Sequence, residues 1–100
     1  MAVGEISVVP VGGGSASVSA QVARCLDVLR ETGLAHELTP MCTVVEGDTR
    51  AILDAAARMH ESAFGDGIVR VLTTVKIDER RDKELTMRGK VEAVRRRQRD

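Results

Sequence analysis

Thr43 and Glu46 stand three residues apart in one segment, and Arg70, Leu72, Thr74, Lys76 and Asp78 occupy alternate positions of another. Side chains alternate across a strand, so the second set shares one face and presents a cation, a hydroxyl, a second cation and a carboxylate in line. A strand face open to water has little need of such a row, and the expectation is a ligand or a partner there. Glu46 and Asp78 could converge for acid–base chemistry. A nucleophile, by contrast, needs a base within reach and a group to hold that base, and no Ser/His/Asp or Cys/His set follows from position. The chemistry expected is therefore binding, with no catalytic residue, no cofactor and no metal. For Arg70, Lys76, Asp78, Arg80, Arg81 and Asp82 two compatible readings stand. They form an ion-pair network at the strand end, reaching the last helix and a subunit contact, or they meet a ligand.

Three other groups read more plainly. Gly12-Gly13-Gly14 lies ahead of a helix start, as a phosphate cradle would, yet it is not Gly-x-Gly-x-x-Gly and lacks a Walker lysine, so a flexible connector is expected. His36 and His60 have no ligand spacing and are expected at the surface or an interface. Cys25 and Cys42 lack Cys-x-x-Cys spacing and fit reduced, half-buried small hydrophobes.

Composition narrows the function classes. The chain has 100 residues, enough for one core and one domain spanning 1–100. Fifteen basic and fifteen acidic residues cancel, and Phe64 is the one aromatic residue. Neither long-range attraction to phosphates nor stacking platforms for unpaired bases is available, so no nucleic-acid partner is expected. No apolar run approaches the roughly 20 residues that span a bilayer. The start, Met1-Ala2-Val3-Gly4-Glu5, lacks the pattern of a secretory signal, and a cytoplasmic protein without a membrane partner is expected.

The elements that must position these groups follow in order. A strand runs from Val3 to Val9 and ends at Pro10. Ser17 caps a first helix whose stripe is Val18, Val22, Cys25, Leu26 and Leu29, stopped by Gly33. Leu34–Thr39 and Cys42–Glu46 are strands joined by a turn near Pro40. Asp48 caps a second helix with the stripe Ile52, Ala55, Ala56, Met59 and Ala63, closed by Gly65-Asp66-Gly67. The central strand follows from Ile68, with Val69, Val71, Thr73, Val75 and Ile77 on its covered face. A third helix, about 84–97, carries the thin stripe Met87, Val91 and Val94.

Strand, helix, strand, strand, helix, strand is the ferredoxin-like βαββαβ order. It predicts an α+β sandwich: a four-stranded antiparallel sheet, two helices on one face, and an added C-terminal helix. The other sheet face is then bare. With Ile6, Val8, Leu72 and Val44 expected on it, a homo-oligomer is predicted, most simply a dimer or a dimer of dimers.

The segments Ile6-Ser7-Val8-Val9-Pro10-Val11-Gly12, Ser17-Val18-Ser19, Pro40 to Gly47, and Arg70-Val71 with Thr74 through Lys83 resemble the small thiamine-binding-like family over nearly the whole chain. The chain departs from that pattern at Cys42, where glycine is usual, and at Gln21, where an aromatic residue is expected. The resemblance implies a ferredoxin-like domain, a tetramer, and thiamine or its hydroxymethylpyrimidine half as ligand. Such a ligand wants a carboxylate, a ring-sized apolar slot and hydrogen-bond partners. Glu46, Thr43, Asp78, Ser17 and Ser19 could supply the polar groups, Met41 or Leu72 the stacking surface, and Thr74 and Lys76 complete the expected set. The alternative is a structural or protein-interaction homo-oligomer without a small ligand, and an enzyme stands behind both.

Overall fold

The computed structural model describes residues 1–12 and 19–99. Ser17, Val18 and the Gly13-Gly14 pair therefore lie outside the described residues. The elements are β1 (Ala2–Pro10), α1 (Ser19–Thr32), β2 (Ala35–Leu38), β3 (Thr43–Gly47), α2 (Thr49–Ala63), β4 (Val71–Glu79) and α3 (Met87–Arg99). The four strands form one antiparallel sheet in the order β2-β3-β1-β4. This is the ferredoxin-like α+β arrangement, with α1 and α2 packed on one face.

The apolar periodicities account for the helices. In α1, Cys25 and Leu29 are buried and Leu26 packs against the core, while Gly33 ends the helix at φ 77°. All five residues of the α2 stripe are buried: Ile52, Ala55, Ala56, Met59 and Ala63. Asp48 holds the N-cap position in extended geometry, although its side chain makes no capping bond. Asp66 (φ 53°) and Gly67 (φ 81°) then turn the chain from α2 toward β4 in the left-handed region. The α2 alanines let the helix sit close to the strands, where Ile6, Leu29, Val45 and Ile52 are fully buried. Burial of each such side chain is worth about 1.5–3 kcal/mol.

Strand register assigns the two faces. Ile6 pairs with Thr43 and Val75, and Gly4 with Val45 and Ile77, and this set lies under the helices. Ile6 and Val8, expected on the bare face, thus belong to the covered one, and Val3 and Val9 take the other. β1 is apolar on both phases, so alternation alone does not fix its orientation. Close packing does: a Cβ on Gly4 would lie 2.9 Å from the Lys76 carbonyl and 3.4 Å from Ile52 and Val45. Only glycine admits that approach on the helix side.

β4 keeps the expected alternation from Val71 onward. Val69, expected on the covered face, lies ahead of the strand and is 87% exposed. Its partner strand ends with Pro10 opposite Val71, and one further bond, from Val11 N–H to the Arg70 carbonyl (2.8 Å), closes the ladder.

Candidate functional site

A cavity of about 690 Å³ opens between β1, α1 and the β2–β3 turn. Its floor is Ile6, Val8 and Thr43, its helix wall Ser19, Val22, Cys25 and Leu26, and its rim Thr39, Pro40, Met41 and Cys42. The turn that forms the rim is built by Thr39. Its N–H donates to the Cys42 carbonyl (2.9 Å), its hydroxyl donates to the same oxygen (2.8 Å), and the Cys42 N–H returns to Thr39 Oγ1 (3.2 Å). Pro40 and Met41 are thereby held out at the tip, and Met41 is 86% exposed. None of the described lining residues carries a charge. The chamber combines an apolar body with hydroxyls and thiols, the composition of a small-molecule site.

The opposite sheet face is built in rows. Ala35, Glu46, Val3 and Asp78 cross the four strands side by side, followed by Glu37, Val44, Glu5 and Lys76. Ser7 with Thr74, and Val9 with Leu72, complete the face. Lys76 Nζ lies 3.6 Å from a Glu5 oxygen at its centre, and the Cys42 thiol donates to the other Glu5 oxygen at 3.6 Å. Val9 and Leu72 remain 42% and 62% exposed.

α3 meets this face only at the first row, where Val3 is buried and Glu46 half-buried while Ala35 and Asp78 stay exposed. The Glu46 carboxylate accepts the Met87 N–H (2.9 Å), a negative group set against a helix N-terminus. Lys90 on the next turn pairs with Asp78. Thr86 caps the helix, its hydroxyl accepting the Gly89 N–H (2.9 Å), and Leu85 is buried just ahead of it. The helix begins two to three residues later than its expected start near 84, because Leu85 is used as an anchor and Thr86 as the cap.

The remaining charges resolve into short local pairs. Arg80 holds Asp82 through Nε (2.9 Å) and Nη2, and Arg81 holds Glu79 (2.8 Å), which also accepts the Thr49 hydroxyl (2.7 Å). The Thr49 hydroxyl first, then Arg81, hold the Glu79 carboxyl below the usual carboxylate range, and Arg80 does the same for Asp82. These two carboxylates in turn raise Arg81 and Arg80. Glu79 and Arg81 rim a second, charged hollow with Asp48, Thr49, Arg50 and Asp54. Arg70 takes part through its backbone carbonyl.

The expected ligand set therefore divides. Ser19, Met41 and Thr43 meet in the cavity, whereas Glu46, Leu72, Thr74, Lys76 and Asp78 stand on the far side of the sheet. Thr43 and Glu46 separate because three residues along a strand invert the face. Cavity residues outside the expected set include Val8, Val22, Leu26, Thr39 and Cys42, and Glu5 holds the centre of the open face. A signal for the rim was present in Thr39-Pro40-Met41-Cys42, where a threonine three residues before the cysteine can close a turn on its own backbone. His60 Nδ1 lies 2.7 Å from Thr73 Oγ1 and His36 Nδ1 2.8 Å from the Leu34 carbonyl. Both cysteines are free. Among the described residues no helix is long and apolar enough to cross a membrane.

Comparison with known proteins locates this architecture. The family described as thiamine-binding protein matches residues 4–95. The UPF0045 protein YqgV of Bacillus subtilis is 37% identical over 98 residues, covering 94% of each chain. The UPF0045 protein MJ1052 of Methanocaldococcus jannaschii is 41% identical over 92 residues, covering 92% of this chain and 90% of that one. The crystal structure of MJ1052 superposes with a TM-score of 0.86 over 93% of this chain and 94% of that chain. A Thermotoga maritima protein proposed to serve thiamine biosynthesis or salvage shares the fold, with a TM-score of 0.79 at 22% identity over 93% and 97% of the two chains.

Proposed function

This chain belongs to the thiamine-binding protein family, and from that premise we propose that it is a non-catalytic binding protein for thiamine or its hydroxymethylpyrimidine half. The observation that carries the reading is the uncharged cavity of about 690 Å³ under α1. Drug-sized ligands occupy pockets of about 300–1,000 Å³. A flat aminopyrimidine finds aliphatic walls in Val8, Val22 and Leu26, and its amine and ring nitrogens find Ser19 and Thr43. The Met41 thioether stands at the mouth, where a soft side chain can close on a ring edge.

The thiazolium cation of thiamine fits such a chamber poorly, since a charge in an apolar site without a partner is costly. One carboxylate, Glu5, is joined to the rim through the Cys42 thiol. The pyrimidine half therefore enters first in this reading, with the cation left toward solvent. Glu46, Leu72, Thr74, Lys76 and Asp78 then serve the assembly of subunits instead of the ligand. The reading also makes the chain a cytoplasmic homo-oligomer, as a dimer of dimers, without a nucleic-acid or membrane partner. Its support is the exposure of Val9 and Leu72 on the sheet face that α1 and α2 leave bare and a formal net charge of zero.

Calorimetric titration with thiamine and separately with hydroxymethylpyrimidine tests this. Saturable micromolar binding, lost at least tenfold in Thr43→Val and kept in Asp78→Asn, is the expected result. Binding that survives Thr43→Val but fails in Asp78→Asn would move the site to the open face. No heat with either compound at millimolar concentration would leave an assembly protein without this ligand.

A further inference from the structure

β1 carries one stretch of edge that neither neighbouring strand uses. In an antiparallel pair, residues that exchange both backbone hydrogen bonds with their opposite number alternate with residues that do not. The Val11 N–H donates to the Arg70 carbonyl (2.8 Å), so the pair one step beyond Pro10 and Val71 is of the exchanging kind. Counting back by two, Val9 and Ser7 spend their N–H and C=O groups on β4, whereas Val8 and Ile6 direct theirs to the other side, toward β3. Ile6 meets Thr43 there. Val8 meets nothing of β3, because the β1–β3 ladder stops at Ile6 and Thr43 while the β1–β4 ladder runs on to Pro10.

The β2–β3 turn makes the gap. Two more steps of the register would set Met41 opposite Val8, but Thr39 and Cys42 close the turn on each other and Met41 stands out from it, 86% exposed. Among the described residues no hydrogen bond joins Val8 to that turn. The edge opens into the cavity between β1, α1 and the turn, where Val8 is a half-buried lining residue. A backbone donor and acceptor so placed require a partner.

The edge is one residue long. Its next position is Pro10, which has no N–H, so an incoming strand would find a single exchanging residue and no ladder to extend. A small planar ring needs no more. We infer that the Val8 backbone is the reading edge of the cavity: its N–H donates to a ring nitrogen, and its C=O accepts from the adjacent amine, of a neutral aminopyrimidine. The inference rests on the binding function proposed above and assigns the edge by which the ring is held. The second ring nitrogen is left to the hydroxyls of Thr43 and Ser19. A ring with a carbonyl in place of the amine has donor and acceptor reversed against Val8, and the site refuses it.

Amide hydrogen exchange on the isotope-labelled full chain, read residue by residue by NMR beside calorimetric titration, tests the edge. In the free protein the Val8 amide should exchange faster than those of Ser7 and Val9, which the β4 ladder holds. Hydroxymethylpyrimidine should slow Val8 by roughly tenfold or more, and the counterpart with a ring carbonyl in place of the amine should bind roughly tenfold or more weakly. Val8→Ala keeps the edge and should keep most of the affinity, and Val8→Pro, checked for folding by circular dichroism, should lose it. Pyrimidine binding that leaves Val8 unprotected, or equal affinity for the two rings, would overturn the edge and leave the binding function standing. No binding of either ring at millimolar concentration would overturn both. Protection of Val8 by an extended valine-rich peptide, with neither ring bound, would turn the edge over to strand addition and overturn the inference.

Discussion

The two faces of the sheet share the same four strands and differ in what each requires of its residues. Under α1 and α2, Ile6, Val45, Ile52 and Leu29 interlock, and Gly4 exists only because nothing larger fits beneath the Lys76 carbonyl. On the far side, Glu5, Lys76, Ser7 and Thr74 stand among exposed Val9 and Leu72, with α3 over one row. The covered face is determined from within the chain and sets stability. The open face is left largely exposed by its own chain, and in the proposed assembly its residues meet a second copy.

The contrast is sharpest in paired truncations. Ile52→Ala should cost about 2–5 kcal/mol by lost transfer energy and a residual cavity, whereas Leu72→Ala should stay within about 0.5 kcal/mol for the dilute chain. Urea unfolding at a fixed low protein concentration reads both, since association adds stability by mass action. Equal losses at the two positions would show that the open face is packed by its own chain.

Gly4→Ala comes next, at about 1–3 kcal/mol, because the new methyl group meets backbone and backbone must move. Ser7→Ala, three strand positions away in the opposite phase, should be close to neutral by the same measurement. A Gly4→Ala variant as stable as the wild type would mean that β1 can slide away from α2, and with it the floor of the cavity.

Most of the covered face was legible in the sequence. The α2 stripe has a period no other element could bury, and Gly33 and Gly65-Asp66-Gly67 stop the helices where they are expected. Less legible was the phase of β1, since Val3, Ile6, Val8 and Val9 offer an apolar residue to either side and only the contact at Gly4 decides. Sequence spacing also could not divide the candidate site. Thr43 and Glu46 read as one set by proximity, and the strand puts them on opposite sides of the sheet. The role of Glu46 at the start of α3 joins residues 41 positions apart, a relation that no local pattern carries.

Thr86→Ala tests the tether at the boundary between the faces. Losing the cap on Gly89 should cost α3 about 1 kcal/mol, seen as reduced helicity with the main transition unchanged, since α3 adds nothing to the buried core. Ile52→Ala, by contrast, should lower the main transition itself and leave the helicity of α3 in proportion to the folded fraction. Loss of the whole cooperative transition in Thr86→Ala would instead make α3 part of the covered face's folding unit.

The smallest effect is expected at the surface residue Glu79, which bridges Thr49 at the start of α2 and Arg81 beyond β4. Its carboxyl lies below its ordinary range, so the folded state favours the charged form. A carboxylate depressed in the folded state contributes stability above its unfolded value, near 4.3, and that contribution is lost as pH falls through the folded value. Asp82, depressed by Arg80, behaves in the same sense. The melting temperature of the wild type should therefore exceed that of Glu79→Gln slightly at pH 7, with the gap closing as the pH is lowered below about 4. High salt should shrink the gap at pH 7, since both pairs lie in water. A gap that grows on acidification would require Glu79 to be protonated more readily in the folded chain than in the unfolded one, and would remove it as the link between α2 and the end of β4.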